Sequence, residues 1–393
     1  YPTAPVYYAF HPDIVRECLS TKHSCFYKGR GIQRARLVLG LSTLTLEGAE
    51  HAERRRMLQP LFRRERLTEY ASAIIARTCE MGSRWRSGDT IDLAGEMTHL
   101  ALAIAAEVFL GLRLNDAEVT TASKALTEVV NAFGMLMLPW GDNAVRLPLP
   151  WVRRFYAARE TLRALARQAY MEQRVEWGAA LQDNGGCPAH VSSTNAVGGE
   201  QQSLEVVTDE LVTLLIAGHE TTALMLTWAI YLLSQHYAAI QRARSEIIEL
   251  SKLEQICGET PARLPYIRAV LSETLRLYPS VWGLGRRAVE DVMLGDERIP
   301  KGAFVTMSPW IVHRDPRFYP SPLSYCPERW DNWNPPPFAY IPFGGGPRRC
   351  IGEGFAWMEG TLILATLLPH WDFQLVSPPP DVKPGFTLRP RTS

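Results

Sequence analysis

Apolar residues recur at three- and four-residue spacing through most of the middle of the chain, a period that predicts helices. Residues 68–85, 93–110, 117–138 and 152–177 follow it, with polar side chains at the intervening positions. The stretch 203–235 is the longest. At ~1.5 Å of rise per residue it makes a rod about 50 Å long, enough to cross a whole domain. Residues 264–278, closed by Pro279, and 355–368 predict two more helices. Strand patterning is sparse: 5–10, 292–294 and 298–299 around a Gly-Asp turn, 304–308, and a short closing hairpin near 382–388. Two stretches obey neither period. Residues 183–202 are rich in Gly, Ser and Asn and are expected to form a mobile connector. Residues 314–338 are crowded with prolines and aromatics and are expected to form an ordered meander. The pattern predicts a single mainly-α domain over 1–393 that carries a small β-rich lobe.

Composition narrows the class. At 46% hydrophobic and 21% charged, the 393 residues suit a globular protein with an ample core. The 42 Lys+Arg and 41 Asp+Glu leave a net charge of +1, which excludes the overall basic character of a nucleic-acid binder. Seven cysteines are an odd number and no two form C-x-x-C, which argues against a disulfide framework or zinc ribbon and for a reducing compartment. Residues 211–235 are the nearest approach to a membrane span, but His219 and Glu220 interrupt them, so they read as a buried helix. A cytoplasmic, soluble, monomeric enzyme is the expectation. Tyr1 opens directly on strand-like sequence without an initiator Met, so an anchor or targeting segment upstream would be out of sight.

The sharpest chemical signal is Phe343-Gly-Gly-Gly-Pro-Arg-Arg-Cys350-Ile-Gly352-Glu-Gly, followed at once by an apolar helix. Glycines let the backbone turn its N–H groups toward one atom, and the helix start adds its positive end. Both favour a thiolate at Cys350, the form that ligates metal, with Arg348 and Arg349 as neighbouring cations. The alternative is a cysteine buried as a small hydrophobe beside a phosphate-gripping loop. Two phosphate motifs fail: no Lys follows the glycines as a Walker loop requires, and the sixth position from Gly344 is Arg349, not Gly.

A second signal lies inside the long helix, Ala217-Gly218-His219-Glu220-Thr221-Thr222. A glycine there costs ~1 kcal/mol against alanine. Thr221 can turn its hydroxyl back to the Ala217 carbonyl, leaving an acid and an alcohol at a notch. A kink that merely helps packing is the competing reading. The zinc-protease pattern H-E-x-x-H fails because Ala223 occupies the second His position. Glu273-x-x-Arg276 puts both charges on one helix face, which taken alone describes a surface ion pair. Pro327-Glu328-Arg329-Trp330 alone carries no message.

In order and spacing, these four motifs between Ala217 and Gly354 resemble the cytochrome P450 family of haem-thiolate monooxygenases, over nearly the whole chain. The resemblance implies the P450 fold with its long helix over haem b, and Cys350 as the proximal thiolate ligand to the iron. It implies that Phe343 packs near the sulfur, and that Gly346 and Gly352 permit close approach to the porphyrin. Arg348, the pair His51 and Arg55, and Arg286 (or its neighbour Arg287) would meet the haem propionates. Glu220 and Thr221 would relay protons to bound dioxygen. Glu273, Arg276 and Arg329 would lock the meander and the haem loop. Thr213, Ala217, Val281, Trp282, Leu284 and Phe386 would line an apolar substrate pocket.

Two electrons would come from a separate ferredoxin, flavodoxin or flavoprotein reductase. The arginines at 54, 55, 56, 63, 64 and 66 make either a basic docking face for that partner or an ordinary solvated surface. Two other haem-thiolate readings compete: peroxide use or substrate rearrangement, which the Glu220-Thr221 pair argues against, and a non-enzymatic haem sensor or carrier.

Overall fold

The computed structural model describes residues 4–137, 141–180, 200–333 and 335–391. Nine long helices dominate them: α1 (Gly48–Leu58), α2 (Arg64–Gly82), α3 (Leu93–Leu110), α4 (Asp116–Met137), α5 (Pro150–Ala180), α6 (Glu200–Gln235), α7 (Tyr237–Ser251), α8 (Pro265–Leu277) and α9 (Glu353–Leu367). Short helical turns and eight short strands complete the regular structure, the strands being β1 (Val6–Tyr8), β2 (Phe26–Lys28), β3 (Leu284–Ala288), β4 (Val292–Leu294), β5 (Glu297–Ile299), β6 (Phe304–Met307), β7 (Val382–Pro384) and β8 (Leu388–Pro390). The chain gathers into two compact units, and the continuous helix α6 passes from one to the other at Glu220 and Thr221.

The first unit comprises Arg30–Arg66 and Ala101–Glu220. Its largest helix–helix packing is α4 along α5, around Leu126, Phe133, Phe155 and Leu162. Local sequence sets where α4 starts. The Asn115 side chain accepts the N–H groups of Ala117 (3.0 Å) and Glu118 (3.1 Å), and the Glu118 carboxylate takes the Asn115 N–H at 2.8 Å. That reciprocal pair satisfies donors that a helix start leaves open. Gly218 in mid-α6 serves packing: a Cβ there would stand 3.2 Å from the ring of Phe109 on α3.

The second unit comprises Pro2–Gly29, Leu67–Leu100 and Thr221–Ser393. Its main sheet has the order β1-β6-β3-β2, with β1 parallel to β6 and the other pairs antiparallel. Arg286 on β3 lies opposite Val305 on one side and Lys28 on the other. Val305, Met307, Ala288 and Phe26 from this sheet join Val15, Cys18 and Leu19 in a buried cluster. The helices α8 and α9 and the second half of α6 supply much of the rest of the core. Gly360 on α9 lets Met225 of α6 and Leu271 of α8 approach closely, since a Cβ would lie 2.6 Å and 3.1 Å from their side chains. The start of α8 is capped from α7, where Glu246 accepts the N–H groups of Tyr266 (2.8 Å) and Ile267 (3.0 Å).

The structure departs from the periodicity in informative places. Periodicity shows neither α7 nor α1, the latter because charged residues fill it, and it misses β3 because Leu-Gly-Arg-Arg-Ala does not alternate; its partners β6 and β2 make it a strand. Residues 200–202 belong to α6 and not to a connector; the remainder of that expected loop, 183–199, lies outside the described residues. Among the described residues two helices are long and apolar enough to cross a membrane, where the sequence pattern predicts none: Leu93–Leu110 with mean hydropathy 1.5 and Leu204–Gln235 with 1.2. Over half of the first and 78% of the second is buried in protein, as core helices are.

Candidate active site

The loop before α9 is a closed backbone ring. The Cys350 N–H donates to the Phe343 carbonyl at 2.9 Å, and Gly344 (φ +71°) and Gly346 (φ +65°) take conformations that favour glycine. A Cβ on Gly346 would overlap the Leu19 carbonyl oxygen in the wide helical turn Glu17–Thr21. One close approach that demands this glycine is therefore to the protein's own backbone. Gly352 precedes the first residue of α9 with φ −86°, which any residue can adopt. The Phe343 ring packs edge-on to Trp357 with centroids 5.1 Å apart. Arg349 forms a two-pronged pair with Glu353 (2.5 and 2.7 Å) and keeps its charge near Cys350.

The Cys350 thiol is exposed, although the ring that presents it is tightly folded. Among the described residues no three His, Cys, Asp or Glu side chains gather to enclose a metal ion. A lone sulfur at a helix start fits a metal whose remaining ligands arrive with it, as an iron porphyrin's do.

Glu273 and Arg276 are not a surface pair. Both are completely buried on α8, joined by two bonds of 2.8 Å. The Arg276 guanidinium also donates to the carbonyls of His313 (3.0 Å), Pro322 (2.6 Å) and Ser324 (2.9 Å). Glu273 in turn accepts the Cys326 N–H (3.0 Å), the Trp330 indole N–H (3.0 Å) and the Arg329 guanidinium (3.5 Å). The helix thus holds the meander by its backbone, which is why the meander is ordered without regular structure. Sequence reasoning missed His313, whose Nε2 accepts the Ile341 N–H at 2.8 Å, two residues before Phe343. Burial and the charges of Arg276 and Arg314 push the His313 pKa down to about 3, so the ring is neutral.

The second half of α6 is tied to the substrate-side candidates. Ser280 donates to the Thr221 carbonyl at 2.8 Å, and its own carbonyl accepts the Leu388 N–H at 3.0 Å. The Trp282 indole donates to the Gly385 carbonyl at 2.9 Å, and Trp228 of α6 to the Leu388 carbonyl at 3.2 Å. Thr221, Val281, Trp282, Leu284 and the hairpin tip with Phe386 are thereby brought into one neighbourhood. Arg286 and Arg287 are consecutive on β3 and so take opposite faces; the charge of Arg286 acts on the buried thiol of Cys18. Glu359, on α9, is another residue that the sequence did not reveal. It is fully buried, and burial pushes its pKa up to about 8 against the opposing contact of Thr222.

In the first unit, His51 is buried on α1 with Arg55 one turn later on the same face. On α6, Thr213 is buried with its hydroxyl donating to the Asp209 carbonyl (2.7 Å), whereas Ala217 is exposed in the middle of a largely buried helix. His219 directs Nδ1 at the carbonyls of Leu215 (3.0 Å) and Ile216 (3.1 Å), and Glu220 is buried beside it. Arg54 turns inward to Glu210 at 3.4 Å, leaving Arg56, Arg63 and Arg64 as the exposed members of the arginine run. In the second unit, a cleft of about 720 Å³ borders the thiol loop, lined by Arg268, Trp330, Tyr340, Phe343, Arg349 and Trp357, with the Arg268 guanidinium 3.4 Å above the Trp357 ring.

The family model described as Cytochrome P450 matches residues 2–392. The chain belongs to the cytochrome P450 family. Among its P450 relatives are cyclooctatin synthase of Streptomyces melanosporofaciens, 33% identical over 98% of this chain and 83% of that protein, and cyclooctat-9-en-7-ol 5-monooxygenase of the same organism, 32% identical over 97% and 82%. Pentalenene oxygenase of Streptomyces avermitilis is 31% identical over 98% and 84%. A solved structure of retinoic-acid-bound cyanobacterial CYP120A1 superposes with a TM-score of 0.83 at 26% identity, over 98% of this chain and 87% of that one. The protein is therefore a mainly-α P450, an oxidoreductase that activates dioxygen to oxidise small organic molecules. Its family implies haem b as the cofactor.

Replacing Arg276 by Ala strands the Glu273 carboxylate without its main partner, and unfolding should become easier by about 3–5 kcal/mol; a urea midpoint equal to wild type would contradict the buried cluster. His313 gives the acid limb of stability. Its folded pKa is depressed from 6.5 to about 3, so its contribution is intact above pH 6.5 and is lost as pH falls through that window. His313→Gln should flatten the decline in melting temperature across that range, measured by circular dichroism.

Proposed function

We propose that Cys350 is the thiolate ligand of the haem iron, and that the protein hydroxylates, epoxidises or oxidatively couples an apolar cyclic substrate. The observation that carries this reading is the exposed sulfur on a closed ring at the start of α9. The helix end and Arg349 both favour the anionic sulfur. Arg348, His51, Arg55 and Arg286 supply the cations and donors that two propionates need, with Arg287 the alternative on the opposite strand face. When bound, the haem supplies the oxidising chemistry on dioxygen, using two electrons and two protons.

The chain's own contribution is positional and protonic. Glu220 and the Thr221 hydroxyl hold and pass protons, and the Ser280 bond to the Thr221 carbonyl fixes the backbone that carries that hydroxyl. Ala217, without a side chain beyond Cβ, leaves room above the cofactor. Thr213, Val281, Trp282, Leu284 and Phe386 give an apolar wall. The relatives' names, pentalenene and cyclooctat-9-en-7-ol, denote an alkene and an unsaturated alcohol, which suits such a wall.

Electrons arrive from a separate ferredoxin, flavodoxin or flavoprotein. The cleft beside the thiol loop offers the stacked Arg268 to a partner surface, alongside its own Asp331 and the Arg349–Glu353 pair. A monomer in the cytoplasm suits the cysteine usage and the charge balance.

Cys350→Ala should lose the red-shifted Soret band of the reduced carbon-monoxide complex; retention of that band removes the ligand assignment. Thr221→Ala should keep haem but release more peroxide per electron consumed, by about tenfold or more if the relay is broken. Equal coupling in the variant would leave Thr221 a packing residue.

A further inference from the structure

Lys28 is 9% exposed, a cation turned to the inner face of the main sheet, and the chemistry above leaves it without a role. Its strand, β2, is three residues long and is pinned at both ends. The Val289 N–H donates to the Cys25 carbonyl at 2.9 Å, and the Gly29 N–H to the Gly285 carbonyl at 3.1 Å. Those bonds make Cys25–Val289 and Gly29–Gly285 hydrogen-bonded pairs of the antiparallel ladder. Lys28 and Arg286, paired in register beside Gly29 and Gly285, therefore occupy a non-hydrogen-bonded place. Facing Cα atoms there are about 4.5 Å apart, the closest that two strands bring their side chains. The register cannot slip by one residue without turning Phe26 out of the core.

The alternation of burial shows which way each side chain goes. Phe26, Lys28, Arg286 and Ala288 form the inward row, while Tyr27 and Arg287 are exposed on the other face. Lys28 and Arg286 are thus neighbours on the apolar side of the sheet. Arg286 is also near the buried Cys18, close enough for its charge to act on that thiol. The next residue, Leu19, turns its carbonyl toward Gly346, where a Cβ would overlap the oxygen. Gly346 opens the short turn Gly346–Arg348 of the Cys350 loop. One segment, Cys18–Leu19, therefore adjoins both Arg286 and the loop that carries Arg348.

Two cations set opposite each other across a ladder repel, and an apolar face makes both costly to hold. A carboxylate beside them reverses the sign, because its two oxygens accept from a guanidinium and an ammonium at once. Resting on the haem reading given above, we propose that Lys28 binds the same haem propionate as Arg286, which makes it a cofactor-holding residue on β2. The sheet then offers this carboxylate an ammonium and a guanidinium, and Arg287, on the outer face, has no part in it. Lys28 brings a compact cation on a flexible stem, which adds a donor without competing for the planar geometry of Arg286.

The test is the rate at which loaded protein gives up haem to excess apomyoglobin, followed at the Soret band. Lys28→Met, which keeps the apolar stem and removes the charge, should lose haem about tenfold faster than wild type. Lys28→Arg should return most of the retention. Lys28→Gln, which keeps a donor without the charge, should be several-fold faster than wild type and serves if Lys28→Met does not load. The same proteins reconstituted with the dimethyl ester of haem, whose carboxylates are capped, should lose it at equal rates. Haem loss from Lys28→Met or Lys28→Gln at the wild-type rate overturns the assignment. So does an acceleration that persists with the ester, because Lys28 would then be a residue of the fold alone. Failure of the haem reading shows separately, as wild-type protein that gives no red-shifted Soret band with carbon monoxide.

Discussion

Arg276 carries a full charge with no surface exposed to water, and the second unit is arranged around that constraint. A buried guanidinium must have its donors met, and a single carboxylate cannot meet them all. Glu273 takes two, and the carbonyls of His313, Pro322 and Ser324 take the others, which obliges the meander to fold against α8. His313 then passes the constraint onward, because its neutral ring receives the Ile341 N–H just before the thiol loop. The position of Cys350 thus depends on an ion pair more than seventy residues earlier in the chain. Electrostatics here specifies a backbone path, and the placement of the Cys350 loop is its consequence.

The central helix resolves a different conflict. An apolar helix suits the core, yet this one carries an acid and an alcohol in its middle. The chain accommodates them with local devices: Gly218 admits Phe109, His219 discharges its N–H onto the preceding turn, and Ser280 takes up the Thr221 carbonyl. Each meets one steric or hydrogen-bonding demand, so the helix stays continuous through 217–222.

Buried titratable groups are spread beyond the reacting residues. His313 is held neutral, Glu359 is held protonated, and Glu210 lies between, its pKa pushed up to about 7. Burial is the main cause in all three, while their nearest charges differ. The first two oppose each other in their pH dependence: the His313 contribution fails in acid, that of Glu359 as pH rises from 4.5 through 8. Neither was visible in the sequence, because a Glu or His inside an apolar helix or a loop looks the same whether its neighbours are water or protein.

Periodicity by itself determined the long helices α2 to α6, α8 and α9 to within a few residues, since their apolar stripes repeat at the helical period. Motif order determined the family, through a cysteine ring, an acid–alcohol pair and two charged motifs at fixed places. Tertiary structure alone decided the rest. It made Leu-Gly-Arg-Arg-Ala a strand by giving it partners on both edges, and turned a pair legible as a surface salt bridge into a fully buried anchor. It set Gly346 against the Leu19 backbone, and drew Arg54 inward to Glu210. The physical reason is common to all four. Pattern reports what a segment prefers over its nearest turns, whereas burial, partner and charge state depend on residues brought close from far along the chain.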